Sequence, residues 1–319
     1  MKITNAYGHP SRKSLILPET IKNGLPIIAI LTAVLLWGGS FVAMRIAVWT
    51  LSPWTVMWIR MMTASVLVLP FFCRMKPLNY RKGDWKMLIL MVMFQPCFYF
   101  FLEANALRFT TSSQAGVVAA SVPLFVGVGA WLMLKEAITR FMLIGVVLSI
   151  GGVVGLTLLG ADDDIAKNLL LGNTLEFCAM ICAAANMLIE KQLSRHYNPW
   201  ALTALQVFAG ALFFIPGLPL LFTSDTVVWR ADLIISLLFL GFFVTLGAFG
   251  LYNWGMSRIT ASRASVYINL VPVTAVVLGW SILGETLTGA QCLAALAVLV
   301  GVAVSQYCPK RSKSLFEKS

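Results

Sequence analysis

Gln95, Tyr99 and Glu103 follow one another at four-residue intervals in an otherwise apolar run, so on a helix they form one polar stripe. An amide, a phenol and a carboxylate sharing a face have two uses in apolar surroundings. They hydrogen-bond neighbouring helices together, or they line a cavity where the carboxylate binds an amine or carries a proton. Pro96, inside the same stripe, frees a backbone carbonyl and favours a kink. Other polar and aromatic groups stand in other apolar runs: Trp37, Arg60, Glu176, Asn186, Tyr252, Asn253, Tyr267 and Asn269. Together with the stripe they are the candidate substrate-binding or coupling residues. Arg60 either snorkels outward, pairs with a carboxylate such as Glu103 or Glu176, or meets substrate.

Enzymatic chemistry finds little support. The chain has 2 histidines, His9 and His196, both outside the apolar runs, so neither a histidine dyad nor a histidine metal site fits there. No aspartate sits within a run, and no GxxxxGK[ST] loop is present to cradle a nucleotide. The 6 cysteines (Cys73, Cys97, Cys178, Cys182, Cys292 and Cys308) include no CxxC spacing and read as small hydrophobes. The reading is a non-enzyme with no catalytic residues, no metal and no cofactor.

The elements that must position these groups are transmembrane helices. The chain is 59% hydrophobic and 12% charged, with a mean hydropathy of +0.84. A membrane-crossing helix takes about 20 mostly apolar residues. Such runs lie near 26–48, 54–73, 86–107, 112–134, 138–159, 169–189, 200–222, 233–256, 264–283 and 287–307. The fold class is therefore an all-α polytopic membrane protein with ten transmembrane helices. No linker is long enough to hold a soluble domain.

The second half repeats the first. Thr110–Thr139 returns as Ile259–Thr288, 149 positions later, and Pro53–Pro70 returns from Pro199, 146 positions later. Five spans fall in each half and five is odd, so the halves run in opposite directions across the membrane as inverted repeats. The expected organisation is a cytoplasmic tail over 1–25, five-helix repeats over 26–159 and 160–307, and a second cytoplasmic tail over 308–319. Pro123 and Pro272 are equivalent and break their helices in mid-span; Glu136 and Glu285 are equivalent and end those spans on opposite faces. These four are candidates for helix breaks or gating caps. Glu103 aligns with Tyr252 and Arg60 with Gln206, so these charges are additions to the repeated frame. Gly151 and Gly155 suit close helix packing, including at a homodimer surface.

Orientation follows from Lys and Arg, which are retained on the cytoplasmic side. With an inside N-terminus, Arg108, Lys167 and Arg230 are the exceptions among 24 Lys and Arg, apart from Arg45 and Arg60 in or near spans. The net charge of +11 is thus a matter of topology and of contact with anionic lipid. Scattered over short loops, the basic residues present no nucleic-acid surface. The expected partners are a small-molecule substrate and the lipid bilayer.

The segments WGGSFVAMRIA from Trp37, PWTVMWIRMM from Pro53, and ALRFTTSSQAGVV…VPLF…W..LKE, which recurs as GMSRITASRASVYINLVPV…W..LGE, resemble the EamA branch of the drug/metabolite transporter superfamily. The resemblance covers roughly 26–307. It implies export of small metabolites, including amino acids, across the bacterial inner membrane without fixing the substrate, and the inverted repeat fits alternating access through a central cavity between the halves. Uptake of a metabolite or drug, and a non-transporting receptor or assembly subunit, are the alternatives.

Overall fold

The computed structural model describes residues 19–72, 80–134, 140–160, 167–223, 228–256 and 267–305. Among them the chain is helical throughout, with no strand. The helices are α1 (Glu19–Thr50), α2 (Pro53–Phe72), α3 (Trp85–Val92), α4 (Tyr99–Ala106), α5 (Ser112–Ala119), α6 (Val122–Leu134), α7 (Arg140–Leu158), α8 (Leu169–Leu193), α9 (Pro199–Phe213), α10 (Gly217–Thr223), α11 (Ala231–Leu238), α12 (Phe249–Met256), α13 (Val271–Leu283) and α14 (Gly289–Ser305). Two π-helical segments, Met93–Phe98 and Phe239–Ala248, join α3 to α4 and α11 to α12. By length and composition, six helical stretches suffice to cross a membrane: Gly24–Thr50, Trp85–Ala106, Ser112–Gly129, Arg140–Leu158, Leu169–Leu193 and Ala231–Tyr252. Three further apolar helices are shorter.

The burial pattern is that of a lipid-embedded bundle. Val147, Leu158 and Phe222 are among many large apolar side chains left exposed, while Arg45, Arg60, Glu103 and Glu176 are buried. A soluble protein of this size hides the first kind and displays the second.

Several apolar runs are interrupted rather than continuous. The run from Ser112 breaks at Ala120–Ser121, and Pro123 is the second residue of the helix that resumes. Pro272 likewise stands second in α13, after a turn at Asn269–Leu270. A proline tolerates the first turn because its missing N–H would have no partner there. The run from Pro199 breaks at Phe214–Pro216. Local caps restart the chain: the side chains of Thr111, Asn168 and Asn198 accept hydrogen bonds from the backbone N–H groups of Gln114, Leu171 and Trp200.

Helix packing within the chain relies on glycines other than the expected pair. α7 lies closely against α14, and glycines permit it, but they are Gly145 and Gly152 rather than Gly151 and Gly155. A methyl group on Gly152 would sit 2.8 Å from the Val298 nitrogen, and one on Gly145 would sit 2.4 Å from the Gly301 oxygen. Gly151 faces open space, and Gly155 has only an ordinary contact with Ala294. The seven-residue spacing, two helical turns, selects the contacting face.

Candidate functional site

Three charged side chains lie buried together where α2, α4 and α8 approach. Arg60 on α2 and Glu103 on α4 form an ion pair, Nη1 to Oε2 3.9 Å. The guanidinium Nε donates to Thr245 Oγ1 at 3.0 Å, and its carbon lies 4.3 Å from the Phe100 ring centroid. The Tyr99 hydroxyl donates to Glu103 Oε1 at 2.7 Å. Glu103 is thus held by a cation and a phenol. Glu176 on α8 is different. It is 0% exposed, neither carboxylate oxygen has a hydrogen-bond partner, and it lies within electrostatic reach of Glu103. With all three ionised, the cluster is one positive charge short.

Gln95 leaves the stripe that the sequence spacing gave it. Its backbone is extended (φ −147°, ψ 122°) inside the first π-helical segment, so the periodicity that aligned it with Tyr99 and Glu103 is lost there. It joins a second, uncharged cluster instead. Asn186 Nδ2 donates to Gln95 Oε1 at 3.2 Å, and Gln206 Nε2 donates to Asn186 Oδ1 at 3.0 Å. Gln206 also donates to the Gln95 backbone carbonyl at 3.1 Å, the acceptor that the broken helix has freed. Glu190 stands at the edge, 3.5 Å from Asn186 Nδ2.

This second cluster lines a narrow cleft, walled also by Met61, Phe100, Thr203, Thr245 and Phe249. Its lining reaches Glu190 and Thr203, close to the α8–α9 turn. At the other end stand Phe100 and Thr245, the two residues that touch Arg60. The ionic cluster therefore lies one layer behind the cleft wall. A larger groove lined by Met62, Val66, Phe242 and Phe243 opens on the outer flank between α2 and α11, and its lining is almost wholly apolar.

Beyond the ionic cluster, hydrogen bonds tie the described helices to one another. Glu285 receives four hydrogen bonds at the start of α5, from the N–H and hydroxyl of Ser112 and of Ser113, all between 2.6 and 2.8 Å. Local structure aims it there. Gly284 takes the left-handed conformation (φ +68°) that ends α13, with the N–H groups of Gly284 and Glu285 returning to the Trp280 and Gly279 carbonyls. Gly279 leaves the room, since a methyl group on it would come within 2.5 Å of both the Glu285 carboxylate and the Ser113 hydroxyl. Thr110 donates to Asn173, which in turn donates to Gln114 and Thr157. Arg45 donates to the Leu107 carbonyl, and Thr55 to that of Gly217. On the opposite face, Tyr197 hydrogen-bonds Asp84 and the Arg81 N–H, tying the α8–α9 turn to the start of α3.

The remaining candidates divide. Trp37 packs on Phe249 and Tyr252, with ring centroids 5.5 and 5.0 Å away, and so stands behind the cleft wall. Tyr267 packs against the same core. Asn269 is half-buried and belongs to neither polar cluster. Glu136 and the side chain of Asn253 lie outside the described residues. Thr245, Phe100 and Glu190 were not singled out by sequence reasoning. Thr245 and Phe100 look like ordinary span residues until tertiary contact with Arg60 gives them a role. Glu190, four residues after Asn186, carried a signal that its position near a span end obscured. Among the described residues no group of acidic, histidine or cysteine side chains gathers as a metal site.

Comparison with known proteins adds a relationship to this geometry. The profile of the EamA-like transporter family matches residues 24–158 and again 170–307. An uncharacterized transporter of Bacillus subtilis (strain 168), YetK, is 26% identical over 284 residues, covering 87% of this chain and 86% of its own. A second from the same organism, YoaV, is 26% identical over 295 residues, covering 90% and 98%. The chloroplastic WAT1-related protein At3g02690 of Arabidopsis thaliana is 25% identical over 281 residues, covering 83% and 66%. A solved crystal structure superposes with a TM-score of 0.56 at 16% identity, over 92% of this chain and 99% of that one.

Proposed function

Because the chain belongs to the EamA-like transporter family, a family of multi-pass membrane transporters rather than enzymes, we propose that it exports amino acids or related small metabolites. In this reading ten spans form two inverted five-helix repeats, over 26–159 and 160–307, which rock about the site between them. The protein sits in the bacterial inner membrane with both termini cytoplasmic, an orientation supported by the Lys and Arg asymmetry.

One observation carries the reading. A cleft lined by Gln95, Asn186 and Gln206 ends against a buried ionic cluster, and the face beyond that cluster is closed by Glu285 on Ser112 and Ser113. Such an arrangement is an occludable site with one face shut. The Lys and Arg asymmetry supports a cytoplasmic position for the open end, near Glu190 and Thr203, as an exporter awaiting its solute requires. Arg60 suits a carboxylate, the acidic pair suits an ammonium, and the amides supply neutral donors and acceptors.

The test is a metabolite profile of medium and cytoplasm, with wild type and Glu103→Gln induced to equal levels against an empty-vector control. Selective accumulation of an amino acid or relative in the medium, lost in the variant, is expected. Accumulation inside reverses the direction. No difference across well-detected metabolites would overturn the reading.

A further inference from the structure

We propose that Glu176 is the exchange residue of this site, occupied in turn by a proton and by the ammonium group of the solute. The inference rests on the transport reading above and assigns a residue to its energy coupling.

The argument starts from what burial demands. A carboxylate with no partner in a low-dielectric interior is costly enough that the group takes up a proton or recruits a cation. Glu103 has already met that demand with Arg60 and Tyr99. Glu176 has not: both oxygens are buried and unpartnered. Nor does packing require a carboxylate there. By the 146-residue repeat its counterpart is Ile30, which is equally buried. A carboxyl group where an isoleucine serves the same frame is present for its chemistry.

Its neighbours limit what can answer its charge. α8 packs against α3, the first π-helical segment, and α4 to α7. The titratable or charged residues these bring are Lys86, Cys97, Tyr99, Glu103 and Arg140, with Cys178, Cys182, Glu190 and Lys191 on α8 itself. Lys86, Arg140 and Lys191 are exposed near helix ends, and Arg60 approaches only through Glu103. No fixed cation among the described residues serves Glu176, so the missing positive charge comes from solution.

The exchange then balances. With the clamped face shut, Glu176 holds a proton as a neutral carboxyl. An ammonium arriving from the cleft displaces it, the O–H bond breaks, and the proton leaves to water on the cleft side as the carboxylate pairs with the N⁺–H donors. After the bundle reopens on the other face, a proton from that side binds Glu176 as the ammonium departs. One proton moves inward per solute moved outward.

Two measurements test this. Infrared difference spectra of the purified protein near neutral pH read protonated carboxyl groups without any solute. The expected result is a carboxyl C=O band in wild type that is absent in Glu176→Gln. Proteoliposomes with an entrapped pH dye, loaded with a mixture of the common amino acids, read coupling. Proton-driven flux is expected to fall roughly 100-fold in Glu176→Gln, the size of a lost charge-assisted contact in a desolvated site. Glu176→Asp should retain flux with a displaced pH profile, which a merely structural residue would not produce. A carboxyl band that persists in Glu176→Gln, or flux with an unchanged pH profile in either variant, overturns the proposal while leaving transport intact. A band lost in the variant with no solute moved by wild type overturns the transport reading alone.

Discussion

Glu285 and Ser113 meet twice: one carboxylate oxygen accepts both the Ser113 backbone N–H, at 2.8 Å, and its hydroxyl, at 2.6 Å. Residues more than half the chain apart thereby share the first turn of α5, where two N–H groups have no helical partner and the helix dipole favours an anion. Ser112 repeats the pattern on both carboxylate oxygens.

The clamp depends on an absent methyl group as much as on the glutamate. Gly279→Ala places a carbon about where the carboxylate must lie, leaving Glu285 itself intact. A hydrogen bond to a charged group contributes roughly 1.5–3 kcal/mol, so the face should open at least tenfold more often. A cysteine at Val207, on the cleft wall, in a background without native cysteines reports this through an impermeant thiol reagent applied from the clamped side. Labelling as slow as in the Gly279 parent would count against the clamp.

Arg60 and Glu103 should behave as a unit. Arg60→Met strands a buried carboxylate and is expected to cost about 3–5 kcal/mol, whereas Arg60→Met with Glu103→Leu should regain most of the lost stability. Thermal unfolding in detergent decides the matter, and flux should stay absent in both. A single variant as stable as wild type would mean the pair is not compensating charge.

The uncharged cluster should govern affinity. Asn186→Leu removes the link between Gln95 and Gln206, leaving amide groups short of partners at roughly 1–3 kcal/mol. The measurable outcome is a raised KM for the transported solute with a smaller change in maximal flux. A fall in maximal flux at constant KM would move Asn186 out of the solute's path.

Adjacent glycines on α7 should differ sharply. Gly152→Val drives a side chain into Val298 and the Ala294 carbonyl, an overpacking worth about 1–3 kcal/mol. Gly151→Val faces open space and should leave the melting temperature of the solubilised protein unchanged. Equal effects at the two positions would contradict the packing of α7 on α14.

How far the sequence could be read follows from the range of the interactions. Hydropathy is local, so the apolar runs mark where helix forms to within a few residues at most ends. The interruption at Phe214–Pro216 went unread because Pro216 and Gly217 sit inside a run apolar enough to pass as one span. Helical periodicity linked Tyr99 to Glu103, and the two do meet, yet it misplaced Gln95, because a single extended residue resets the phase. Polarity alone marked Glu103 and Glu176 as partners for Arg60. Choosing Glu103 required the third dimension, as did finding Thr245, 185 positions from Arg60 in the chain.

The two π-helical segments hold a further consequence. Arg60, in the first half, donates to Thr245 in the second segment, while Gln206, the counterpart of Arg60 in the second half, donates to the Gln95 carbonyl in the first. Each half thus donates a hydrogen bond into its partner's irregular helix, to a side-chain hydroxyl in one case and a backbone carbonyl in the other. The two irregular helices are therefore the points where a substitution in one half is felt first in the other.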